Sequence, residues 1–435
     1  MNGRGEGGVE DTFSNTRGNQ HTVKNQSSAP VGAGQKRALG VIFSIMLMDV
    51  IGISVLSPVA PYIVERYSSE ALMVTMITVL YAAAQFLGAP LLGRLGDRYG
   101  RRPVLLVSLL GQAAGYFIFG IGGSLGVLFT ARLVGGITGG NLSTASAYIA
   151  DISKPEERSK NFTLIGIAWG MGLILGPALG SVFGQISLEM PAFAAAVLSL
   201  LNVLLSILLL PESLPAERRD HTPIRARDFN PIQSIVDMAR KPSLGWILLI
   251  LALFNFAFNG INSTATLFVI QKFSAQTWQV GLMLVLGGVA LAVVQFLMVQ
   301  RLAPRYGEKL VAMGSLFGQA VSSVALFFAP LLWMIFPFYM IANAFSGFTF
   351  PTMTTLTTNR VLPHEVGLLM GVTTAIGSLM NIAGPLWAGL VYDAVMPGAP
   401  YWMGALVYVV AAFMLVRVKN MAPLQEPLPV MQAAE

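Results

Sequence analysis

The chain of 435 residues contains no cysteine, which excludes disulfides and thiolate metal sites. Charge is almost as scarce: Asp, Glu, Lys and Arg make up 11% of the residues against 54% hydrophobic, a balance that excludes an ordinary soluble protein. The three histidines, His21, His221 and His364, all fall outside the apolar runs, so no intramembrane histidine relay is expected. No Gly-rich phosphate loop with its Lys is present, and nucleotide-driven chemistry has no site. The ten-residue alternation of an outer-membrane barrel is missing too. No nucleophile, base or metal cluster converges on one segment, so neither an enzyme nor a metal or cofactor is expected. A short apolar region before a small-residue cleavage site is also lacking, and the first apolar run is expected to serve as an uncleaved insertion signal.

What the chain does have is long apolar runs. Stretches of about 20 or more residues suffice as helices to cross a hydrocarbon core of about 30 Å. Twelve spans are predicted, at 39–64, 72–93, 103–123, 126–150, 162–186, 190–211, 244–270, 278–300, 310–329, 331–356, 366–392 and 400–417. Of 27 Lys and Arg residues, 24 fall in the tails and in alternate loops; Arg66 and Lys272 alone lie in the opposite loops, and Arg132 lies within a span. The positive-inside rule then puts both termini in the cytoplasm of a plasma (inner) membrane protein. The net charge of +6 needs no nucleic acid to explain it.

The organisation expected is a disordered tail (1–37), an N-terminal six-helix bundle (38–211), a cytoplasmic linker (212–243), a C-terminal six-helix bundle (244–418) and a second tail (419–435). Within the linker, Asn230-Pro231 before Ile232, Ile235, Val236 and Ala239 has the pattern of a capped amphipathic helix, suited to the membrane surface, although a solvated linker would read the same way. The halves repeat. Arg98-Tyr99-Gly100 recurs as Arg305-Tyr306-Gly307, an offset of 207, and Gly176-Pro177 recurs as Gly384-Pro385, an offset of 208.

The loop after the second span reads Gly93-Arg94-Leu95-Gly96-Asp97-Arg98-Tyr99-Gly100-Arg101-Arg102-Pro103. It resembles the signature loop of the major facilitator superfamily, whose fold is all-α: twelve transmembrane helices in two pseudo-symmetric six-helix bundles with substrate held between them. The resemblance implies that Gly93, Asp97, Arg98, Gly100, Arg101 and Arg102 form a conformational latch, with Asp97 capping span eleven and Arg101 pairing with Asp151. Gly166, Gly170, Gly176, Pro177 and Gly180 in span five, with Gly172 among them, resemble the antiporter motif of the drug:proton branch. Small residues at that spacing let two helices approach closely, and a purely packing role is the other reading.

Asp49 is the only acidic residue well inside a span. A carboxylate at membrane depth costs roughly 2.5 to 3.5 kcal/mol on insertion scales and marks a functional site by default. Counted from Arg37, it lies about 18 Å along its helix, near the midplane. Asp49-Val50-Ile51-Gly52-Ile53 resembles the first span of tetracycline efflux pumps and their multidrug relatives. Arg132, in Leu128-x-x-x-Arg132-x-x-Gly135-Gly136, resembles a span-four motif whose Arg is implicated in proton movement; snorkelling or a structural role would also account for it. Asn255, Asn259 and Asn262 form a polar stripe on span seven, and Gln85, Asn141, Gln295, Gln319, Asn343 and Asn381 add single amides elsewhere. Each either lines a cavity or bonds helix to helix. Tyr81, Trp169, Phe254 and Phe258 could supply an adaptable apolar wall.

The resemblance implies a monomeric, proton-coupled exporter of small apolar or weakly charged compounds such as tetracycline-like drugs, with protons, substrate and the lipid bilayer as its partners. Symport or uniport of a sugar or organic acid, and a non-transporting receptor or scaffold, are the alternatives.

Overall fold

The computed structural model describes residues 33–154, 157–220, 231–241, 244–362 and 365–418. The tails before 33 and after 418, the three histidines and Asn230 lie outside the described residues. Among those described there is no strand, and eleven helices are long and apolar enough to cross a membrane.

Span one is α1 (Ala33–Ser54), a turn at 55–59, and α2 (Ala60–Glu65). It starts before the expected boundary at 38, because Gln35 is tied by its side-chain amide to the Ile152 carbonyl at 3.0 Å, which extends the helix towards the tail. Span two is α3 (Ala71–Tyr99) and span three α4 (Arg101–Ile121). Span four, expected as one helix, is broken into α5 (Leu125–Ile137) and α6 (Asn141–Ile152). The Gly139-Gly140 pair lies at the break, as kinks require. A Cβ on Gly140 would sit 2.7 Å from Leu92 Cδ1 and 3.1 Å from Ala89 Cα, so the broken segment presses on α3 in a way only glycine allows. Spans five and six are α7 (Arg158–Gly184) and α8 (Met190–Leu209).

The linker contributes α9 (Pro231–Ala239). Its Met238 is buried with Leu244, Leu248, Val361 and Leu369, and Lys241 pairs with Glu365, so the amphipathic helix docks on the second half. Spans seven to twelve are α10 (Leu244–Phe273), then α11 (Thr277–Val293) continuing through a π turn at Val294–Met298 into α12 (Val299–Tyr306), α13 (Glu308–Phe328), α14 (Leu332–Thr358), α15 (Val366–Ala394) and α16 (Ala399–Val416).

Within the first half α4 packs on α8 and α5, and α1 on α7; within the second, α13 packs on α14 and α16, and α10 on α15. Between the halves, α3 packs most closely on α15 and α7 on α11, and α10 also touches α2 and α3. Glycines set these approaches. On α7 a Cβ at Gly176 would meet Ser54, and one at Gly180 the Val55 carbonyl, so span five packs backbone to backbone on span one. The repeat reproduces this in the second half, where a Cβ at Gly384 would lie 2.5 Å from the Phe256 carbonyl oxygen and 3.0 Å from Gly260 N. The two equivalent basic loops likewise turn on glycines with positive φ, Gly100 (103°) and Gly307 (82°).

Candidate functional site

Between the halves lies a cavity of about 1390 Å³. It runs from Gly93 on α3 and Gly371 on α15, at the end bearing the basic loops, down to Ser57 and Pro61 near the opposite end. A Cβ on either Gly93 or Gly371 would meet nothing within 4 Å, as expected at an open mouth. The opposite end is closed by bonds between the halves. Tyr62 donates to the Ala275 carbonyl, Tyr392 donates to Gln271 Oε1 at 2.8 Å, and Gln271 in turn donates to Glu65 Oε1 at 3.3 Å. This conformation is therefore open at the basic end only.

Among the described residues lining the cavity, Asp49 and Arg132 alone carry charge. Asp49 is 9% exposed, and its Oδ1 accepts a hydrogen bond of 3.0 Å from Asn141 Nδ2. Asn141 reaches it because it is the first residue of α6: the break in span four delivers a buried amide to the carboxylate of span one. The same break frees the Gly139 carbonyl, which accepts from Gln85 Nε2 at 2.6 Å. Gln85 and Asn141 thus serve two sides of one discontinuity, a role their isolated positions in the sequence did not reveal.

Arg132 makes no ion pair with Asp49 among the described residues. Its guanidinium carbon lies 4.3 Å from the centroid of the Phe119 ring, while Nε and Nη2 are buried without a hydrogen-bond partner. Tyr116 Oη and Asn141 Oδ1 are buried and unpartnered as well, and the buried Gln112 amide lies within reach of Asp49 and the Tyr81 hydroxyl. Both tyrosines lie within electrostatic reach of Asp49 and Arg132. Buried polar atoms are ordinarily satisfied, so such a concentration beside one carboxylate marks a place adapted to something other than stability. Gln112 and Tyr116, on span three, had no distinguishing signal in the sequence.

Of the amides considered, Gln85, Asn141, Asn259, Asn262, Asn343 and Asn381 line the cavity, together with Tyr81, Trp169 and Phe258. Asn255 does not: span eleven covers it, Gly377 facing its Oδ1, and its Nδ2 donates to the Leu251 carbonyl at 2.8 Å. Gln295 falls in the π turn of span eight, away from the cavity. Gln319 is buried in a separate network with Ser346 and Thr349, and Phe254 is fully buried against Phe258 and Phe350. Tyr339, not singled out in the sequence, lines the cavity and donates to Asn262 Oδ1 at 2.9 Å.

In the basic loop, Asp97 Oδ1 pairs with Arg101 Nη2 at 2.6 Å, and Arg101 Nε reaches Asp151 Oδ2 at 3.3 Å. Among the described residues, Asp97 makes no hydrogen bond or ion pair with span eleven in this conformation. The carboxylate that does sit on a helix N-terminus is Glu212, which accepts from Arg101 N at 2.9 Å and Arg102 N at 3.2 Å. A Cβ on Gly100 would strike that carboxylate, 2.5 Å from Glu212 Oε2. Arg102 donates to the Ser206 and Ile207 carbonyls, and Arg98 stacks on Tyr99. In span five, Gly166 and Gly170 have open space around them, whereas Gly176 and Gly180 face span one and the Pro177 carbonyl faces Gly281 of α11.

Comparison with known proteins agrees with this architecture. The chain is 37% identical over 388 residues to the class C tetracycline resistance protein of Escherichia coli, covering 87% of this chain and 95% of the relative. Its fold superposes on the human organic anion transporter MFSD10 with a TM-score of 0.66 at 26% identity, covering 88% of this chain and all of that one. A nucleoside transporter, 16% identical, superposes with a TM-score of 0.73 over 89% of this chain and 100% of its own, and shows the shared fold alone. The sequence also matches the Major Facilitator Superfamily over residues 42–385 and 273–432. The chain is a multi-pass membrane transporter and belongs to the Major Facilitator Superfamily.

Proposed function

We propose that this transporter exports small apolar or weakly charged compounds, tetracycline-like drugs among them, in exchange for protons by alternating access. One observation carries the reading: among the described residues lining the large, mostly apolar cavity a single one carries a carboxyl group, Asp49, buried in its wall and hydrogen-bonded by the Asn141 amide. A lone carboxyl at membrane depth can bind and release a proton as the two halves expose it to one side and then the other. The similarity to a tetracycline resistance protein supports the substrate class. With both termini cytoplasmic in the plasma membrane, as the basic loops imply, the cavity faces the cytoplasm. Substrate enters there and displaces the proton; the halves rock, substrate leaves outside, and Asp49 is reprotonated. In the outward-facing state Asp97 would swing onto the N-terminus of span eleven, closing the cytoplasmic mouth. A monomer suffices, because the cavity is complete within one chain.

The test is flux in proteoliposomes. Asp49→Asn should abolish substrate movement driven by a proton gradient while retaining substrate exchange at equilibrium. Undiminished gradient-driven efflux by that variant would refute the assignment. Symport would move protons in the same direction as substrate, and uniport would move none.

A further inference from the structure

The helices that meet across the halves at spans two and eleven are antiparallel and of equal length, α3 and α15 having 29 residues each. Each carries an aspartate in its last turn, Asp97 on α3 and Asp393 on α15. At the closed end of the molecule the second of these is engaged. Asp393 Oδ1 accepts from Ala71 N at 2.8 Å and Oδ2 from Leu72 N at 2.8 Å, the first two amides of α3. The residue in the N-cap position of α3, Glu70, makes no side-chain cap bond. The start of span two is thus capped from the opposite half rather than by its own sequence. One turn back, a Cβ on Gly389 would lie 2.9 Å from Leu72 Cα, so the two backbones meet where the carboxylate docks. Tyr392, next in sequence to Asp393, joins a second bridge between the halves through Gln271 to Glu65.

We infer that Asp393 is the outer latch of the transport cycle: its carboxylate, docked on the N-terminus of span two, holds the extracellular side shut while the cavity is open to the cytoplasm. A carboxylate receiving two backbone amides at a helix start combines charge-assisted hydrogen bonds with the favourable end of the helix dipole. When the outer side opens, α15 withdraws and those amides turn to water. The inference rests on the alternating-access part of the proposed function and not on proton coupling. With Asp97 proposed to act at the other end, the helix pair would carry two reciprocal latches, only one of which can be made at a time. Asp393 is a positioning residue in this scheme, since it meets neither substrate nor proton site.

The experiment measures spin-label distances on the full chain in nanodiscs, with one label pair across the outer ends of the halves and another across the cytoplasmic ends, without substrate. Asp393→Asn should raise the ratio of outward-open to inward-open molecules by about five-fold, the scale of a lost carboxylate at a helix terminus. Asp393→Glu should keep the wild-type ratio. Asp97→Asn should shift the ratio the opposite way, and the double variant should fall between the two. To separate a latch from a simple helix cap, Glu70→Ser supplies α3 with a cap of its own: in the Asp393→Asn background it restores thermal stability while leaving the population shift in place. An unchanged ratio in Asp393→Asn, or full return to the wild-type ratio with Glu70→Ser, would overturn the inference. Because no proton gradient or substrate is used, either result is independent of the Asp49→Asn flux test.

Discussion

The two halves share a fold, a loop and a glycine-packed helix pair, yet their polar interiors differ. In the first half, Asp49 and Arg132 line the cavity without pairing with each other, and Arg132, Tyr116 and Asn141 each have a buried polar atom with no hydrogen-bond partner. In the second, a buried neutral network is internally bonded: Ser315 with Thr349 at 2.7 Å, Gln319 Nε2 to Thr349 Oγ1 at 2.8 Å, and Ser346 Oγ to Gln319 Oε1 at 3.1 Å. The span that corresponds to span one is filled there by Phe254, which packs edge to face on Phe350 with ring centroids 4.9 Å apart. A satisfied neutral network rigidifies a bundle, whereas an unsatisfied charged one can change partners and protonation during a cycle. The difference assigns the moving chemistry to one half and a stable wall to the other.

The largest effect should come from attacking the charged half. Arg132→Gln keeps polarity and approximate length but removes the cation facing the Asp49 cluster. Positioned proton-transfer groups contribute about 10²-fold or more, and a loss of that order in gradient-driven efflux is expected, with substrate exchange retained. Proton-coupled efflux within two-fold of wild type would show that Arg132 is a structural cation seated on Phe119, and the contrast between the halves would lose its functional meaning.

Span five offers an internal version of the same comparison, because its glycines fall into two groups. A Cβ on Gly180 would run into the Val55 carbonyl and lie 2.9 Å from Pro58 Cγ, while one on Gly166 would meet nothing within 4 Å. Gly180→Ala should therefore cost about 1–3 kcal/mol through overpacking and impair transport. Gly166→Ala should be neutral or stabilising by up to about 1 kcal/mol, since alanine is the better helix former. Thermal melts in detergent, read beside flux, decide it. Equal damage from both would mean that the motif acts through something other than the contact with span one.

The satisfied network of the second half makes the complementary case. Gln319→Leu removes its bonds to Thr349 and Ser346, which keep Ser315, the Phe345 carbonyl and the Ala342 carbonyl as partners; a cost of about 1 kcal/mol should lower the melting temperature while transport stays within two-fold. A selective loss of transport without destabilisation would place part of the coupling in the second half.

Most of the fold was legible because it depends on patterns with long reach. Apolar runs mark the spans, basic loops mark alternate ends, and the offset of 207 or 208 marks the repeat. Asp49 was legible for a simpler reason, since a lone acid in an apolar run is costly wherever it faces. Rotation and local breaks were not legible. Asn255 shares its helix face with Asn259 and Asn262, but span eleven happens to cover that level of α10, which is a property of packing between distant segments. The break at 138–140 carried a signal in Gly139-Gly140, yet paired glycines in membrane helices also serve close packing, and here they do both. Asp393 falls one position past the predicted end of span eleven at 392, where an exposed acid is ordinary. Its importance depends on Ala71 and Leu72, more than 300 positions away.

The smallest effect is expected where the two halves share the cavity wall. Asn262 faces the cavity, but its Nδ2 already donates to the Phe258 carbonyl at 2.8 Å and its Oδ1 accepts from Tyr339. Its amide is thus largely committed to holding span seven against span ten, and the tyrosine ring is fixed in turn by Gly287, where a Cβ would lie 2.8 Å from Tyr339 Cδ1. Tyr339→Phe removes one hydroxyl and leaves the Asn262 carbonyl facing a cavity wide enough for water to take its place. A replaced hydrogen bond is worth about 1 kcal/mol or less, so KM should rise by no more than about five-fold with the maximal rate and proton stoichiometry unchanged. Asn141→Ala makes the contrast, because it strips the 3.0 Å amide donor from Asp49 and should lower the maximal rate rather than the affinity. If the two variants instead produced the same kinetic signature, the cavity wall of the second half would be taking part in coupling, and the division of labour between the halves would have to be redrawn around span seven.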